Sequence, residues 1–179
     1  MYNGNNKTAC RSQQSIADAL FDLLEEESYE KISITEICNK ANVSRQTFYS
    51  LFSSKENVIA YQLCRDEQYV PSRCQDHFFK NVCLDYSRYI MQEQNLLAIL
   101  YENHLLELVQ NMQMQHFVEC PDFLPDHDSL YRQYAASFIA SGLLGIVRIY
   151  LENKSSLSEE ELADVISDML QGCYLPSDR

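Results

Sequence analysis

The sequence predicts an all-α protein of about nine helices, in which a small N-terminal three-helix helix-turn-helix domain precedes a larger helical domain. Apolar residues recur at helical spacing along most of the 179-residue chain. The chain contains only four Gly and four Pro, so few residues interrupt its helices. Three Ser-x-x-Glu segments, SITE, SSKE and SEEE, have the pattern of a capping box, which marks the first turn of a helix.

The charge of the chain is strongly acidic and unevenly distributed. The net charge is -12 and the isoelectric point about 4.6, which is opposite to the usual charge of a nucleic-acid-binding protein. Residues 1–63 contain six Lys and Arg against eight Asp and Glu, and residues 64–179 contain eight against eighteen. We predict domains over these two ranges. The acidity of the second leaves local contacts of the first possible, because exposed charges more than about 8–10 Å apart are largely screened.

The cysteine pattern and the absence of long apolar runs indicate the cellular setting. Seven cysteines, an odd number without a CxxC pair, argue against a disulfide framework and a zinc site. We expect reduced thiols that pack as small hydrophobic residues, and no metal or cofactor. No run approaches the roughly 18 apolar residues of a membrane span, and MYNGNNKTACRSQQ lacks the apolar core of a signal peptide. We therefore expect a soluble cytoplasmic protein that does not bind a membrane.

The first two helices are predicted from apolar spacing and one capping box. The first carries a stripe at i, i+3, i+4, i+7 and i+8, formed by Ile16, Ala19, Leu20, Leu23 and Leu24. It ends at the acidic segment 25–28. Ser33 and Glu36 then open a short second helix over about 34–41. The residues that this helix is expected to bury are Ile34, Ile37, Cys38 and Ala41.

A tight turn and a third short helix follow. Asn42 tolerates the left-handed conformation of a helix exit, and Val43 is placed to fill the corner. Ser44 is a good N-cap for a helix over 45–51. Its expected buried residues are Phe48 and either Leu51 or Phe52. The segment SSKE opens a fourth helix that continues to about residue 64.

Two short helices joined by a three- or four-residue turn have the form of a helix-turn-helix, although an ordinary helical corner is the commoner structure. The side chains outside the core of the third helix favour the DNA-binding interpretation. From Arg45 to Ser54, ten residues of a very acidic chain contain no carboxylate. The polar side of this helix therefore offers donors and one aromatic hydroxyl to a phosphate backbone.

The segment ITEICNKANVSRQTFYSLFSSKENV resembles the DNA-binding domain of the TetR/AcrR transcriptional regulators. The family pattern runs roughly I-x-x-I-A-x-x-A-G-V-S-x-x-T-F/L-Y-x-Y/H-F-x-x-K-E-x-L, and the match continues upstream through IADALFDLLEE. Three positions depart from the pattern. Cys38 replaces the usual Ala, Asn42 the usual Gly, and Leu51 a Tyr or His that often contacts phosphate.

The resemblance implies that the helix over 45–51 is a recognition helix, which enters the major groove of DNA. Arg45 is then expected to pair with a guanine edge, although an arginine beside the N-cap also suits a phosphate. Gln46 suits adenine, and Thr47 suits thymine or phosphate.

The resemblance also implies a set of phosphate contacts. Tyr49 and Lys55 look like the tyrosine and lysine with which the family contacts phosphate, and Lys55 stands at a helix start, where the dipole favours an anion. The alternatives are half-buried packing for Tyr49 and a solvated helix start for Lys55. Thr35, in the first turn of the second helix, is a further expected contact, and Lys7 and Arg11 form a weak basic arm.

Five further helices are predicted in residues 64–179. Their expected ranges are 74–93, 96–101, 104–112, 130–151 and 158–173, with a loop rich in Pro and Asp at 120–128. The first of them carries the apolar stripe Phe78, Val82, Tyr86, Tyr89 and Ile90. The last opens with the capping box SEEE.

The last two helices carry more apolar surface than one chain of this size buries. The helix over 130–151 is apolar or small on almost every side, and the last helix carries a separate stripe. The resemblance implies a four-helix bundle between two subunits, which presents two recognition helices to a palindrome. The residues expected at this homodimer interface are Ala140, Gly145, Ile149, Leu162, Val165, Ile166 and Met169.

Aromatic and sulfur-containing side chains in the second domain suit either a packed core or a ligand cavity. The resemblance implies an effector pocket in this domain. The candidate residues are Tyr86, Tyr89, Tyr101, His104, Met112, Phe117, Tyr134 and Phe138. The short helices near 96–117 also resemble the subgroup that includes the dihydroxyacetone-kinase operon activator, which responds to a protein partner.

We therefore expect a homodimeric, effector-responsive transcriptional regulator, most often a repressor in this family, that binds a palindromic operator in double-stranded DNA. By resemblance, effector binding in the second domain shifts the helices that carry the DNA-binding domains, so that the separation of these domains no longer matches one turn of DNA and affinity drops, with a coupling free energy of ~1–3 kcal/mol. A cysteine-based redox sensor and a regulator controlled by a protein partner, on the same scaffold, are the alternatives. An enzyme is not expected, because the chain has no Gly-rich phosphate loop and no GxSxG or HExxH motif.

Overall fold

The computed structural model describes residues 6–65, 78–121, 123–153 and 156–172, and the side chains of 64, 65, 78 and 79 lie outside this description. Within these ranges all regular structure is helical, in nine helices, which confirms the predicted all-α fold. The chain divides into two compact units, Met1–Gln68 and Tyr69–Arg179. The predicted boundary at 63/64 stays a prediction, because residues 66–77 lie outside the described part.

The first unit contains four helices that enclose one core. They are α1 (Lys7–Leu24), α2 (Ile34–Lys40), α3 (Arg45–Leu51) and α4 (Lys55–Arg65). Helix α1 packs against each of the other three. Its stripe is buried as predicted, except that Leu23 is only half-buried. Leu51 and Phe52 are both buried with Phe48, whereas the sequence predicted burial of only one of the two.

Two of the three predicted capping boxes are present. Ser33 Oγ accepts from the Glu36 amide at 3.2 Å, and Glu36 Oε2 accepts from the Ser33 amide at 2.7 Å. Ser158 and Glu161 form the same reciprocal pair at the start of the last helix. Both boxes occupy amide groups that have no partner inside the helix, so they fix where α2 and the last helix begin.

The predicted capping box SSKE is wrong by one position. Ser54, not Ser53, accepts from the amide of Asn57, at 3.4 Å. The carboxylate of Glu56 has local hydrogen bonds with Ser54 and with its own amide, and it also accepts a hydrogen bond from the hydroxyl of Tyr29 in the α1–α2 connection. A partner from another part of the first unit is therefore added to the local ones.

The second unit contains five helices that pack mainly in two pairs. They are α5 (Phe78–Gln92), α6 (Gln94–Glu102), α7 (Leu106–Glu119), α8 (Ser129–Glu152) and α9 (Glu159–Leu170). The closest pairs are α5 with α9 and α7 with α8. The Ser87 hydroxyl donates to the Glu159 carbonyl at 2.7 Å, and Arg88 Nε donates to the Glu159 carboxylate at 2.9 Å. These bonds attach the start of α9 to α5.

Two helix ends of the second unit differ from the prediction. Helix α7 continues to Glu119 instead of 112, and Arg132 Nη2 holds its end by donating to the carbonyls of Val118 (2.9 Å) and Cys120 (2.6 Å). Helix α9 ends at Leu170 instead of 173, because Gly172 adopts a left-handed φ of 72° and terminates it. Residues 74–77 and 173, which the prediction placed in helices, lie outside the described residues.

Helix α8 bears on the predicted absence of a membrane span. An 18-residue window in it has a mean hydropathy of 1.5, so by length and composition it could cross a membrane. The expectation that no run approaches a membrane span was therefore wrong. One third of the window is buried within the chain, and α8 packs along α7 and more weakly along α9, as a core helix does. We interpret α8 as a core helix with a second apolar face.

Candidate nucleic-acid interface

A helix exit of the Schellman type joins α2 to α3. Asn42 has a φ of 53°, as its place in the turn predicted. The amide of Val43 donates to the Cys38 carbonyl at 2.9 Å, and the amide of Asn42 donates to the Asn39 carbonyl at 3.2 Å. These two bonds satisfy carbonyls at the end of α2 and set the direction in which the chain enters α3. The turn therefore has the geometry of a helix-turn-helix.

Helix α3 has one buried side and one polar, exposed side. Phe48 and Leu51 are buried in the core of the first unit. The exposed side chains are those of Arg45, Gln46, Tyr49 and Ser50. Their spacing of i, i+1, i+4 and i+5 puts them on one face of the helix. The exposed face therefore contains three of the predicted DNA-binding residues, Arg45, Gln46 and Tyr49. It also contains Ser50, which was not among the predicted DNA-binding residues although it follows Gln46 by four positions and so lies on the same face.

Thr47 lies at the edge of this face and takes part in the N-cap. Its amide donates to Ser44 Oγ at 3.0 Å, and the two hydroxyl groups are 2.9 Å apart. Thr47 is half-buried. Because its hydroxyl is already hydrogen-bonded to Ser44, the methyl group is the part of the side chain without such a role. The contact of Thr47 with thymine or phosphate stays a prediction.

Lys55 has partners inside the first unit that the sequence did not suggest. Its Nζ donates to the backbone carbonyls of Tyr29 and Ile32, both at 2.7 Å. The same atom lies 4.0 Å from the centroid of the Tyr29 ring, which is a cation–π distance. Neither of the two predicted roles, a phosphate contact or a solvated helix start, describes this arrangement. The phosphate contact stays a prediction.

The other predicted phosphate contacts are exposed. Thr35 lies in the first turn of α2, and Lys7 and Arg11 lie in the first turns of α1. Glu36 follows Thr35, and hydrogen bonds from Ser33 hold the pKa of its carboxyl below the usual range. A carboxylate therefore stands beside the expected phosphate site at neutral pH, which limits the affinity of this turn for an anion.

Two of the eight predicted pocket residues lie together in a cleft of the second unit. Its volume is about 350 Å³, and its lining residues are Tyr101, His104, Leu106, Glu107, Arg148 and Glu152. The Tyr101 hydroxyl donates to Glu152 at 2.8 Å, and this bond raises the pKa of Tyr101. The cleft has both polar and apolar walls and lies where the α6–α7 turn meets the end of α8.

The other six predicted pocket residues do not line this cleft. Tyr86 stacks near Tyr89, with ring centroids 5.9 Å apart, and its hydroxyl accepts from Gln113 Nε2 at 2.6 Å. Burial raises the pKa of Tyr86. Met112 and Phe117 are half-buried in α7, and the Phe117 ring lies 5.1 Å from that of Phe123.

Tyr134 and Phe138 are corrections to the predicted pocket. They are 71% and 67% exposed, so they belong to an outer face of α8 instead of a cavity. Their aromatic character was compatible with either place. The sequence pattern did not distinguish the two, because α8 is apolar on more than one side.

The predicted dimer-interface residues divide into two groups. Ala140, Leu162 and Ile166 are only 0%, 2% and 1% exposed, since they belong to the core of the second unit. This corrects their assignment to a surface for a partner. The exposed members of the set are Gly145, Ile149, Val165 and Met169. Each helix carries an inward stripe and an outward one, and helical spacing alone does not tell which is which.

The described cysteines form no disulfide with one another and lie in different environments. Cys38 and Cys83 are buried, and this burial raises the pKa of both, for Cys83 to about 11. Cys10 is exposed and Cys120 half-buried, while the side chains of Cys64, Cys74 and Cys173 lie outside the described residues. In the described part of the chain no three His, Cys, Asp or Glu side chains group as metal ligands. A raised pKa makes a thiol less reactive, so neither buried cysteine has the properties of a redox sensor.

The capped α2–α3 unit and its carboxylate-free exposed face define a helix-turn-helix protein of the DNA-binding type. Comparisons with known proteins agree with this class. Residues 16–61 match the family model "Bacterial regulatory proteins, tetR family". The transcriptional activator DhaS of the Lactococcus lactis dhaKLM operon is 30% identical over 91 residues, 50% of this chain and 49% of that protein. YxbF of Bacillus subtilis, an uncharacterized HTH-type regulator, is 23% identical over 88% of this chain and 44% of that protein.

Solved structures share the fold over nearly the whole chain. Lin0861 from Listeria innocua has a TM-score of 0.76 at 16% identity, covering 97% of this chain and 96% of that one. A TetR regulator from Streptococcus agalactiae has a TM-score of 0.60 at 21% identity, covering 92% and 96%. A dihydroxyacetone kinase operon activator DhaS has a TM-score of 0.54 at 20% identity, covering 90% and 95%.

Residues 16–61 therefore have the sequence of a regulatory domain of the TetR family, and the curated relatives that the chain resembles are transcriptional regulators. The likeness to DhaS supports the predicted resemblance to that subgroup. The chain spans about half the length of the curated relatives it matches.

Proposed function

We propose that this chain binds a palindromic DNA operator as a homodimer and that an effector controls the binding. The observation that carries the proposal is the exposed face of α3. Arg45, Gln46, Tyr49 and Ser50 present a guanidinium, an amide and two hydroxyl groups there, without a carboxylate. These groups suit base edges and phosphates in the major groove. Ser44 and the Asn42 turn hold the helix in its orientation.

The second apolar face of α8 supports the homodimer. Helix α8 buries Ala136, Ala140, Leu143 and Val147 within the chain. Its opposite side exposes a set of large hydrophobic residues, namely Leu130, Tyr131, Tyr134, Phe138 and Ile149. On α9, Val165 and Met169 are also exposed. Large hydrophobic residues exposed on one side of a helix favour an interaction site there.

The two glycines of α8 belong to the same outward side. A Cβ atom at Gly142 or Gly145 would have no neighbour within 4 Å, so packing inside the chain does not require glycine at either position. Glycine in a helix interior destabilises the helix by about 0.5–1 kcal/mol relative to alanine. Close approach of a second backbone is the physical reason that fits both positions. A two-fold symmetric dimer matches a palindromic operator, whose half-sites lie about 34–36 Å apart.

The cleft lined by Tyr101, His104 and Arg148 is the candidate effector site in the described part of the second unit. Its volume of about 350 Å³ lies at the lower end of the range for small-molecule sites. The relative DhaS is named a transcriptional activator, so activation stands beside repression as an outcome for this chain. A promoter fusion with and without the chain distinguishes the two. If a protein partner controls this chain instead, the cleft should bind no small molecule from a cell extract. A protein from that extract should then change the affinity of this chain for DNA.

The test of the proposal is selection of bound fragments from the source genome, followed by footprinting and light scattering. We expect a palindromic footprint and the mass of a dimer. Gln46→Ala should lower enrichment of the selected fragments. Gln115→Ala removes a similar exposed amide from the second unit and serves as the matched control. The absence of any enriched fragment, or a monomeric mass at micromolar concentration, would contradict the proposal.

A further inference from the structure

The side chain of Lys55 connects the start of α4 with the segment between α1 and α2. Its ammonium donates to the carbonyls of Tyr29 and Ile32, both at 2.7 Å. These acceptors lie more than 20 residues earlier in the chain, on both ends of one short loop. Ile32 is buried, and the next residue, Ser33, is the N-cap of α2. One side chain thus holds the last turn of the loop against α4.

The neighbouring residue strengthens the same connection. The Tyr29 hydroxyl donates to the carboxylate of Glu56, while the Tyr29 ring lies under the ammonium of Lys55 at 4.0 Å. Tyr29 therefore contacts two consecutive residues of α4 through its hydroxyl, its ring and its carbonyl. Lys40, at the end of α2, forms ion pairs with Asp22 of α1 at 3.6 Å and with Glu26, just after α1, at 3.3 Å, so α2 is attached at its other end as well.

This geometry limits what Lys55 offers to DNA. An ammonium group has three hydrogens, and two of them point to carbonyls at short, charge-assisted distances. A phosphate that took more than the one remaining hydrogen would draw the ammonium away from a carbonyl and leave that carbonyl without a partner in a half-buried place. Lys31, in the same loop, is exposed and carries the same charge without a side-chain partner in the described part of the chain.

We propose that Lys55 is a positioning residue, which fixes the α1–α2 connection and the first turn of α2 instead of neutralising a phosphate itself. The first turn of α2 contains Thr35, an expected phosphate contact. Lys55 thereby acts on DNA through the placement of that turn. The part of this inference that concerns DNA rests on the proposed function, and the part that concerns the loop does not.

The first arm of the test uses the free, full-length protein. Lys55→Met keeps the length of the side chain and removes the charge and all three donors. We expect amide hydrogen exchange in residues 29–36 to become at least about tenfold faster. Lys31→Met is the matched control, because it also removes one lysine charge, but from an exposed position within the loop itself. Amide exchange in residues 29–36 should then stay as in the native chain. Unchanged exchange in Lys55→Met would overturn the inference.

The second arm measures operator affinity as a function of salt, well below the unfolding temperature. We expect Lys55→Met to lower affinity at least about fivefold for every sequence, with the slope of log K against log salt unchanged. A phosphate ligand would instead reduce the slope by about 0.9 for each contact that is lost. A reduced slope, or an affinity equal to that of the native chain, would overturn the inference. The second of these results would mean that Lys55 serves stability alone.

A second variant covers the case that Lys55→Met does not fold. Tyr29→Leu keeps the lysine and its charge but removes the ring and the hydroxyl that support it. We expect faster exchange in residues 30–36 and a lower affinity at an unchanged salt slope, and native behaviour would count against the inference. If the native chain binds no DNA at all, the proposed function fails, whereas the exchange experiment still decides whether Lys55 fixes the loop.

Discussion

The exposed apolar face of α8 gives the most direct prediction about assembly, and Phe138→Ala is the variant that tests it. Phe138 is 67% exposed, so it contributes little to the stability of the single chain. Full burial of a phenylalanine is worth about 1.5–3 kcal/mol. Burial of the exposed two thirds in an interface is then worth about 1–2 kcal/mol for each subunit, or about 2–4 kcal/mol for a symmetric dimer.

This free energy corresponds to a weakening of the dimer by a factor of about 30 to 700, since 1.4 kcal/mol is tenfold in a dissociation constant. Sedimentation equilibrium or light scattering over a dilution series measures it. Circular dichroism should show an unchanged helix content, because the residue is exposed in the single chain. The dilution series also shows whether the melting temperature depends on protein concentration, as linkage between folding and dimerisation requires.

Tyr49→Ala is the matched control for this experiment. It removes an aromatic side chain of similar exposure from the first unit, at 51%, so it should leave the dissociation constant of the dimer unchanged. A change of less than about threefold in Phe138→Ala would refute the assignment of this face to the interface. An equal effect of the two variants would show that the loss comes from general changes of the surface.

Four further predictions concern single residues. Tyr49→Phe should weaken binding to all DNA sequences alike, because a phosphate contact does not read bases, and a change of sequence preference in a binding selection would contradict this. Gln46→Ala should cost about 1–3 kcal/mol at one symmetric pair of operator positions and little elsewhere, whereas a uniform loss would exclude base readout. Asn42→Ala should lower the free energy of unfolding by about 1 kcal/mol in denaturant titration, because alanine tolerates a φ of 53° poorly, while Asn42→Gly should not. Cys83 has its pKa raised to about 11 by burial, so its contribution to stability is complete below the usual thiol pKa and is lost as the pH rises towards 11. Comparison of Cys83→Ala with the native chain across pH 8 to 11 checks this, and a stability difference that is independent of pH would refute it.

The DNA-binding domain follows from local patterns to an unusual extent. The Ser33 and Ser44 caps and the left-handed turn at Asn42 each depend on contacts between residues within five positions of one another. Such contacts are readable from spacing, because a helix start or exit uses the side chains that are adjacent in sequence. The exposed face of α3 follows from the same spacing, including Ser50, which was present in the pattern but not selected.

The partners of Lys55 and Glu56 did not follow from spacing. The sequence placed both residues in the first turn of α4, and it suggested a phosphate for one and a capping box for the other. The Tyr29–Ile32 segment, more than 20 residues earlier, supplies both carbonyl partners of Lys55 and the Tyr29 hydroxyl that donates to Glu56. A hydrogen bond at this separation depends on how α1 and α4 pack, and no local pattern records that packing.

The apolar faces of α8 and α9 also could not be assigned from local sequence patterns. Helical spacing identified both helices and showed that they carry surplus apolar surface. It placed Ala140, Leu162 and Ile166 at a partner surface, although the chain covers them itself, and it placed Tyr134 and Phe138 in a pocket, although they are exposed. A periodic apolar stripe predicts that its side chains are buried away from water. The hydrophobic free energy gained is the same whether the atoms that cover them belong to the same chain or to a second one. Which stripe faces inward is therefore set by the packing of α8 on α7 and of α9 on α5.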